Sequence, residues 1–312
     1  MQCIRPIKAG FDRKGNITFS QKQLDPSIKS FAFPCRKCLP CRLDIAREKA
    51  VRCWHESKMH PNNIFLTLTY DDEHLKSPWL QYSDFQKFMW KLRSHVNYKN
   101  PFNGPIPMMV TGEYGDKNKR PHWHALLFNY RPDDSTYHRT TDRGDKIWTS
   151  KTLHELWGCG RLEFGEVTLD SANYTARYAA KKLTHGRDDD HQFHPIHKTS
   201  SKHAIGKAWI EKYYEQTFNH GYIVLPNGSK SKIPRFYEDW FKKHHPKKWE
   251  NYVTLKLKIM AQSEQRAYDE LQEHIKQKSL TDAPGYKVLT TNKLKAKILE
   301  SKFKILQQRL KL

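Results

Sequence analysis

Arg120-Pro121-His122-Trp123-His124-Ala125-Leu126-Leu127-Phe128 is the stretch whose reading decides the fold. Its apolar end favours a strand, and on a strand residues i and i+2 point to one face. His122 and His124 are then neighbours on that face, and two adjacent imidazoles can hold one divalent cation. Upstream lies a second β-rich run, Ile106 to Tyr114, with the polar loop Gly115-Asp116-Lys117-Asn118-Lys119-Arg120 between the two. The pattern predicts a hairpin with arms 106–114 and 121–129. Pairing about the centre of the loop sets Glu113 opposite His122. Directly opposed residues share a face, with Cβ atoms about 5 Å apart. Glu113, His122 and His124 are therefore expected to converge. Two imidazoles and one carboxylate leave coordination positions open, which suits Mg²⁺ or Mn²⁺ with substrate oxygens completing the shell.

Around this hairpin, Ile64-Phe65-Leu66-Thr67-Leu68-Thr69-Tyr70 reads as a strand, and Arg161 to Leu169 as another. Leu43, Ala46, Ala50 and Trp54 recur at helical spacing and predict a helix over 42–59. Ser83 followed by Gln86 matches a capping box. It would open a helix whose apolar face is Phe85, Phe88, Met89, Leu92 and Val96. A short helix is expected over 151–157 and a longer one from Ser171 to Leu183. Residues 1–34 read as extended and irregular, broken by Pro6, Gly10, Gly15, Pro26 and Pro34. Residues 131–150 read as a polar surface loop. The segment 185–203 lacks periodicity and reads as a mobile loop, despite His185, His191, His194, His197 and His203. From Lys247 the chain is helical and basic, with 15 Lys and Arg against 7 Asp and Glu. Leu299, Phe303, Leu306 and Leu310 mark an amphipathic last helix, set off by Pro284-Gly285.

Composition narrows the partner. The chain has 312 residues with 55 Lys plus Arg against 33 Asp plus Glu, a formal charge of +22. That balance favours a polyanion, most commonly nucleic acid. Aromatics at 12% supply stacking platforms for unpaired bases, and 37% hydrophobic residues suffice for a core. No apolar run approaches the roughly 18 residues of a membrane span, and the N-terminus lacks a secretory pattern. A soluble protein of a cell interior, with no membrane partner, is expected.

Cys35, Cys38 and Cys41 follow each other as Cys-x2-Cys-x2-Cys. In that setting the spacing argues for thiolates or a metal rather than a disulfide framework. Structural Zn²⁺ is one reading, with Cys53 or His55 as the fourth ligand. Free thiols packing the start of the helix are the other.

The second chemical element is Tyr174-Thr175-Ala176-Arg177-Tyr178-Ala179-Ala180-Lys181-Lys182. On a helix Tyr174 and Tyr178 are i and i+4, and Lys181 joins their face. A phenol with pKa near 10 is a poor nucleophile until a cation favours its phenolate. Phenolate attack on a phosphodiester would give a phosphotyrosine ester that conserves the energy of the cleaved bond. Taken alone, the segment fits two core tyrosines of an ordinary helix better.

The three elements in order, a strand at Phe65–Thr69, a His-hydrophobe-His strand and a Tyr-x3-Tyr-x2-Lys helix, resemble the HUH endonuclease superfamily of rolling-circle replication initiators. The chain is more similar still to the replication initiation proteins of small single-stranded DNA phages, the gokushovirus branch of the Microviridae. Further residues carry this likeness: Pro34-Cys35 with Cys38 and Cys41-Arg42-Leu43, Gly112-Glu113-Tyr114-Gly115, Arg120-Pro121-His122, Gly206-Lys207-x-Trp209 and Pro234-Arg235. It spans about 31 to 240.

The resemblance implies an α+β fold, a central antiparallel sheet with flanking helices, here extended by a basic helical C-terminal tail. It divides the chain into a Cys-containing N-terminal segment and helix (1–60), a catalytic domain (61–245) and the tail (246–312). It implies His122 and His124 as metal ligands with Glu113 as the third. Tyr174 and Tyr178 would be nucleophiles, Tyr178 fitting the shared motif better, and Lys181 would steady the phosphate. Trp123 is bulkier than the usual hydrophobe between the histidines. The implied activity is nicking of one strand of circular phage DNA, leaving a 5′-phosphotyrosine link and a 3′-OH for a host polymerase, with later rejoining. Single-stranded and supercoiled circular DNA at the origin would be the partner, in the cytoplasm of a bacterial host. No Walker-type loop is present, so unwinding would fall to a host helicase. The competing reading is a basic DNA-binding or packaging protein without catalysis.

Overall fold

The computed structural model describes residues 3–27, 30–100, 104–115, 118–181, 195–281, 294 and 297–302, with backbone alone for 177–181 and 278–281. Two compact units are distinguished: Ala46–Tyr252, and Met1–Ile45 with Val253–Leu312. Among the described residues no helix is long and apolar enough to cross a membrane.

In the terminal unit, β1 (Ile7–Phe11) pairs antiparallel with β2 (Ile17–Thr18) and with β3 (Phe31–Phe33). This corrects the irregular reading of 1–34. The strands are too short to show a period, but Ile7, Ala9 and Phe11 alternate, and Asp12 closes the turn by accepting from the amides of Lys14 and Asn16. Helix α1 (Leu39–Ser57) follows, close to its expected span.

The central unit is built on a seven-stranded antiparallel sheet. In chain order come β4 (Asn63–Thr69), α2 (Tyr82–Lys99), β5 (Met108–Tyr114), β6 (Pro121–Phe128), β7 (Thr136–Thr140), β8 (Lys146–Thr149), α3 (Lys151–Trp157), β9 (Leu162–Gly165), α4 (Leu169–Lys181) and β10 (Ile196–Thr199). The strand order is β10-β5-β6-β4-β9-β8-β7. The histidine strand β6 thus lies inside the sheet, between β5 and β4.

Alternation along β6 sorts its residues onto two cores. Trp123, Ala125 and Leu127 join Ile64, Leu66 and Leu68 of β4 under the apolar face of α2. Leu126 and Phe128, with Met109 of β5, meet Ala46 and Ala50 of α1 and Ala172 and Ala176 of α4. The small alanines let both helices approach the sheet closely. Each fully buried Leu or Phe contributes about 1.5–3 kcal/mol, so strand order and face are strongly determined.

Three readings are corrected here. Residues 131–150 are not a plain loop; they include the β7–β8 hairpin. A register shift between Tyr137 and Arg139 and full exposure of β7 remove the apolar alternation that marks a strand. His197 sits on β10, paired with Thr111 of β5, rather than in a loop. Ser83 does not cap α2: the cap position is Gln81, without a side-chain cap bond. Leu183, His185, His191, His194, Pro284, Gly285, Phe303, Leu306 and Leu310 lie outside the described residues.

A further cluster closes the central unit. It is formed by α5 (Lys207–His220), the pair β11 (Ile223–Val224) and β12 (Lys230–Ser231), and α6 (Arg235–His244), around Ile210, Phe218, Tyr237 and Phe241. Val51 and His55 of α1 enter it: the His55 ring stacks 3.5 Å from Trp209, and Nδ1 lies 3.0 Å from the Tyr237 hydroxyl. Gly206 opens α5 with φ of 80°, and a Cβ there would collide with that hydroxyl. This accounts for the Gly206-Lys207-x-Trp209 pattern. Helix α7 (Pro246–Thr281) follows.

Candidate metal centre and tyrosine helix

The hairpin register is the expected one. Glu113 pairs with His122, and His124 pairs with Thr111 on one side and Thr67 on the other. Glu113 Oε1 lies 3.0 Å from Nε2 of His122 and 3.1 Å from Nε2 of His124. One ligand atom from each residue falls within 4.8 Å of the others, a group able to hold a metal ion. Glu113 and His124 are buried, and His122 keeps partial access to solvent.

The outer nitrogens are anchored. His122 Nδ1 lies 3.2 Å from the Arg120 carbonyl. A carbonyl only accepts, so this nitrogen carries the proton and Nε2 is turned toward Glu113. His124 Nδ1 lies 3.0 Å from Thr67 Oγ1. Fixing one ring nitrogen by a hydrogen bond orients the other toward a metal. Arg120 is itself held, donating to the Tyr70 carbonyl and pairing with Asp72.

Burial pulls the Glu113 carboxyl toward neutrality, but the hydrogen bonds from His122 and His124 outweigh it and hold the group below the ordinary carboxylate range. Burial also pushes His124 below the usual imidazole value, against the opposing pull of Glu113. At neutral pH the pair is thus a carboxylate beside a neutral imidazole, the state a divalent cation requires. The mixed nitrogen and oxygen donors fit Mg²⁺ or Mn²⁺.

Trp123 points to the opposite face, where its Nε1 donates to the Tyr70 hydroxyl at 2.9 Å. Its bulk is accommodated by the glycine across from it. A Cβ at Gly112 would lie 2.5 Å from Trp123 Cζ3. Gly112 and Glu113 therefore serve opposite faces of β5, one making room for the core and one facing the histidines.

Helix α4 crosses the histidine face. The Thr111 hydroxyl donates to the Thr175 carbonyl at 3.2 Å, and its oxygen lies 2.9 Å from His197 Nδ1. This bond and the alanine contacts bring the Tyr174 ring to 5.2 Å from the His124 ring, nearly perpendicular to it. Phe65 packs against both rings. Positions 178 and 181 belong to the same helix; their side chains lie outside the described residues. Sequence reading missed Thr67, Thr111, His197 and Phe65 as supports. Thr67 and Phe65 stand in the quoted strand, and their alternation with Leu66 and Leu68 was the available signal.

A second metal-capable group gathers Cys3, Cys35, Cys38 and Cys41. The fourth member is Cys3, not Cys53 or His55. Cys53 is buried in the core, its thiol 3.6 Å from the Met109 sulfur, and His55 is engaged with Trp209 and Tyr237. Both follow the helical turn of α1 away from Cys41, whereas Cys3 carries no local spacing signal.

Comparisons with known proteins agree on one family. The model of the Replication-associated protein ORF2 family matches residues 63–183, from β4 through α4. Replication-associated protein VP4 of Bdellovibrio phage phiMH2K is 56% identical over 319 residues, covering 100% of both chains. Replication-associated protein ORF4 of Chlamydia phage 1 is 34% identical over 69% of this chain and 55% of its own. Replication-associated protein ORF2 of Spiroplasma virus 4 is 32% identical over 76% and 79%. No solved structure matches. With the paired histidines and the tyrosine helix both inside the matched span, and one relative aligned end to end, the chain belongs to the ORF2 family of replication-associated proteins of small single-stranded DNA phages.

Proposed function

We propose that this protein starts rolling-circle replication by nicking one strand of circular phage DNA with a tyrosine of α4, and later rejoins the strand. The observation that carries the reading is the 5.2 Å between the rings of Tyr174 and His124, which sets a phenol beside the Glu113, His122 and His124 group. A bound Mg²⁺ or Mn²⁺ would supply polarisation of the scissile phosphate. The tyrosine oxygen attacks phosphorus, the bond from phosphorus to the 3′ oxygen breaks, and that oxygen leaves as a 3′-OH after taking a proton. The product is a 5′-phosphotyrosine ester. Attack by a 3′-OH on the ester reverses the step and releases the phenol.

Tyr178, four residues on, supplies the second nucleophile needed to transfer and close a strand, and Lys181 steadies the phosphate. Net charge of +22 holds the DNA backbone. A host polymerase extends the 3′-OH and a host helicase unwinds the duplex, in the bacterial cytoplasm.

The test is relaxation of a supercoiled circle carrying the replication origin, with and without Mn²⁺. Metal-dependent nicking by the full chain, lost in Tyr174→Phe/Tyr178→Phe with DNA binding retained, is the expected result. Binding without metal-dependent nicking would leave the packaging reading in its place.

A further inference from the structure

We infer that Cys3, Cys35, Cys38 and Cys41 hold one zinc ion as four thiolate ligands, closing the base of the N-terminal sheet. The four sulfurs all lie within 4.8 Å of one another. Cys3 and Cys38 are 3.8 Å apart, sulfur to sulfur. A tetrahedral zinc with bonds of about 2.3 Å sets its sulfur neighbours roughly 3.8 Å apart. All four cysteines are free, and this separation is far beyond the roughly 2.05 Å of a disulfide bond.

The backbone is arranged around sulfur as well. The amide of Cys35 donates to Cys3 Sγ at 3.2 Å, and that of Cys38 to Cys35 Sγ at 3.3 Å. Amides aimed at sulfur favour the thiolate, the form that binds metal. Arg36 takes φ of 57°, the left-handed turn that folds Cys35 and Cys38 toward each other. Cys41 follows in the first turn of α1.

The donor chemistry separates this group from the Glu113 group. Four sulfurs select zinc or an iron–sulfur cluster over Mg²⁺ and Mn²⁺. The position supplies the structural reason. Strands of five, two and three residues lie in the loop between Cys3 and Cys35, and Phe19 and Phe33 remain exposed there. Such a module buries too little apolar surface to hold itself, and small modules of this kind are commonly fastened by a metal. A zinc joining Cys3 to the start of α1 closes that loop.

The test uses the full chain purified from zinc-supplemented cells. Metal analysis and zinc release by a thiol-specific mercurial should show one tightly held zinc per chain. That zinc should persist in Cys53→Ala and in Glu113→Gln, and be lost in Cys3→Ser. Should Cys3→Ser not fold, Cys3→His decides: it keeps the metal, and exchange with Co²⁺ changes an all-sulfur spectrum into one of three sulfurs and a nitrogen. Absence of zinc from the purified chain, iron–sulfur absorption, or an unchanged cobalt spectrum in Cys3→His would overturn the inference.

Discussion

The hydroxyl of Thr111 donates to the carbonyl of Thr175, 3.2 Å away, and so fastens the helix of Tyr174 to the strand beside the histidines. Thr111 is also the direct cross-strand partner of His124. Both residues of this bond are fully buried. Thr111→Val keeps the shape and removes the donor, leaving the Thr175 carbonyl and His197 without it. The expected loss is about 1–3 kcal/mol of stability, seen in urea denaturation. Nicking should slow by roughly tenfold or more, because misplacing a reacting group by even an ångström is costly. Unchanged nicking would mean that this bond does not position the helix.

Glu113 is the only acid in the histidine group. Glu113→Gln preserves size and hydrogen bonding but removes the charge. Mn²⁺ affinity, followed by calorimetry, should fall by at least the roughly tenfold to hundredfold typical of losing even an outer partner of a metal ligand. Chelation of the wild type should remove nicking and leave DNA binding, since phosphate contacts rest on Lys and Arg.

Gly112 faces Trp123 across the hairpin, where a Cβ would lie 2.5 Å from Cζ3 and 2.9 Å from Leu80 Cδ2. Gly112→Ala should therefore cost about 1–3 kcal/mol through overpacking, measured as a lower urea midpoint. The pair is coupled, so Gly112→Ala/Trp123→Leu should lose less than the sum of the single changes. Additive losses would place the strain elsewhere.

His55 supplies a pH dependence distant from the metal group. Burial pushes its pKa down to about 3. Its Nε2 meets no hydrogen-bond partner among the described residues, so a proton there would be buried unpaired. The unfolded chain binds that proton first, at about 6.5. Stability should fall as pH drops below that value, by up to ~1.4 kcal/mol per pH unit, until the folded form also titrates near 3. Between pH 6.5 and 5, His55→Phe should show a shallower slope of urea midpoint against pH. Equal slopes would contradict the assignment.

The legible parts of this molecule are those in which one local pattern decides. The His122-Trp123-His124 alternation and the polar loop before it are enough to place Glu113 opposite His122, because no bulge interrupts the pairing of β5 and β6. Helices α1 and α2 are visible in their apolar stripes. What escapes depends on distant partners. Strand β10 forms because β5 offers it an edge, and β7 is exposed along its length with a bulge that erases its period. Cys3 joins thiols more than thirty residues away, and no spacing rule reaches that far. Tyr174 can be read as a core residue or a nucleophile from its helix alone; its place beside His124 follows from packing of α4 on the sheet.

The account rests on a tyrosine of α4 becoming joined to DNA. The most direct measurement is capture of the adduct between the full chain and an origin oligonucleotide with Mn²⁺, digestion, and mapping of the modified residue by mass spectrometry. The account predicts a phosphotyrosyl peptide carrying the nucleotide at Tyr174 or Tyr178, absent from Tyr174→Phe/Tyr178→Phe. An adduct at normal yield in that double variant, or at a residue outside α4, would contradict it.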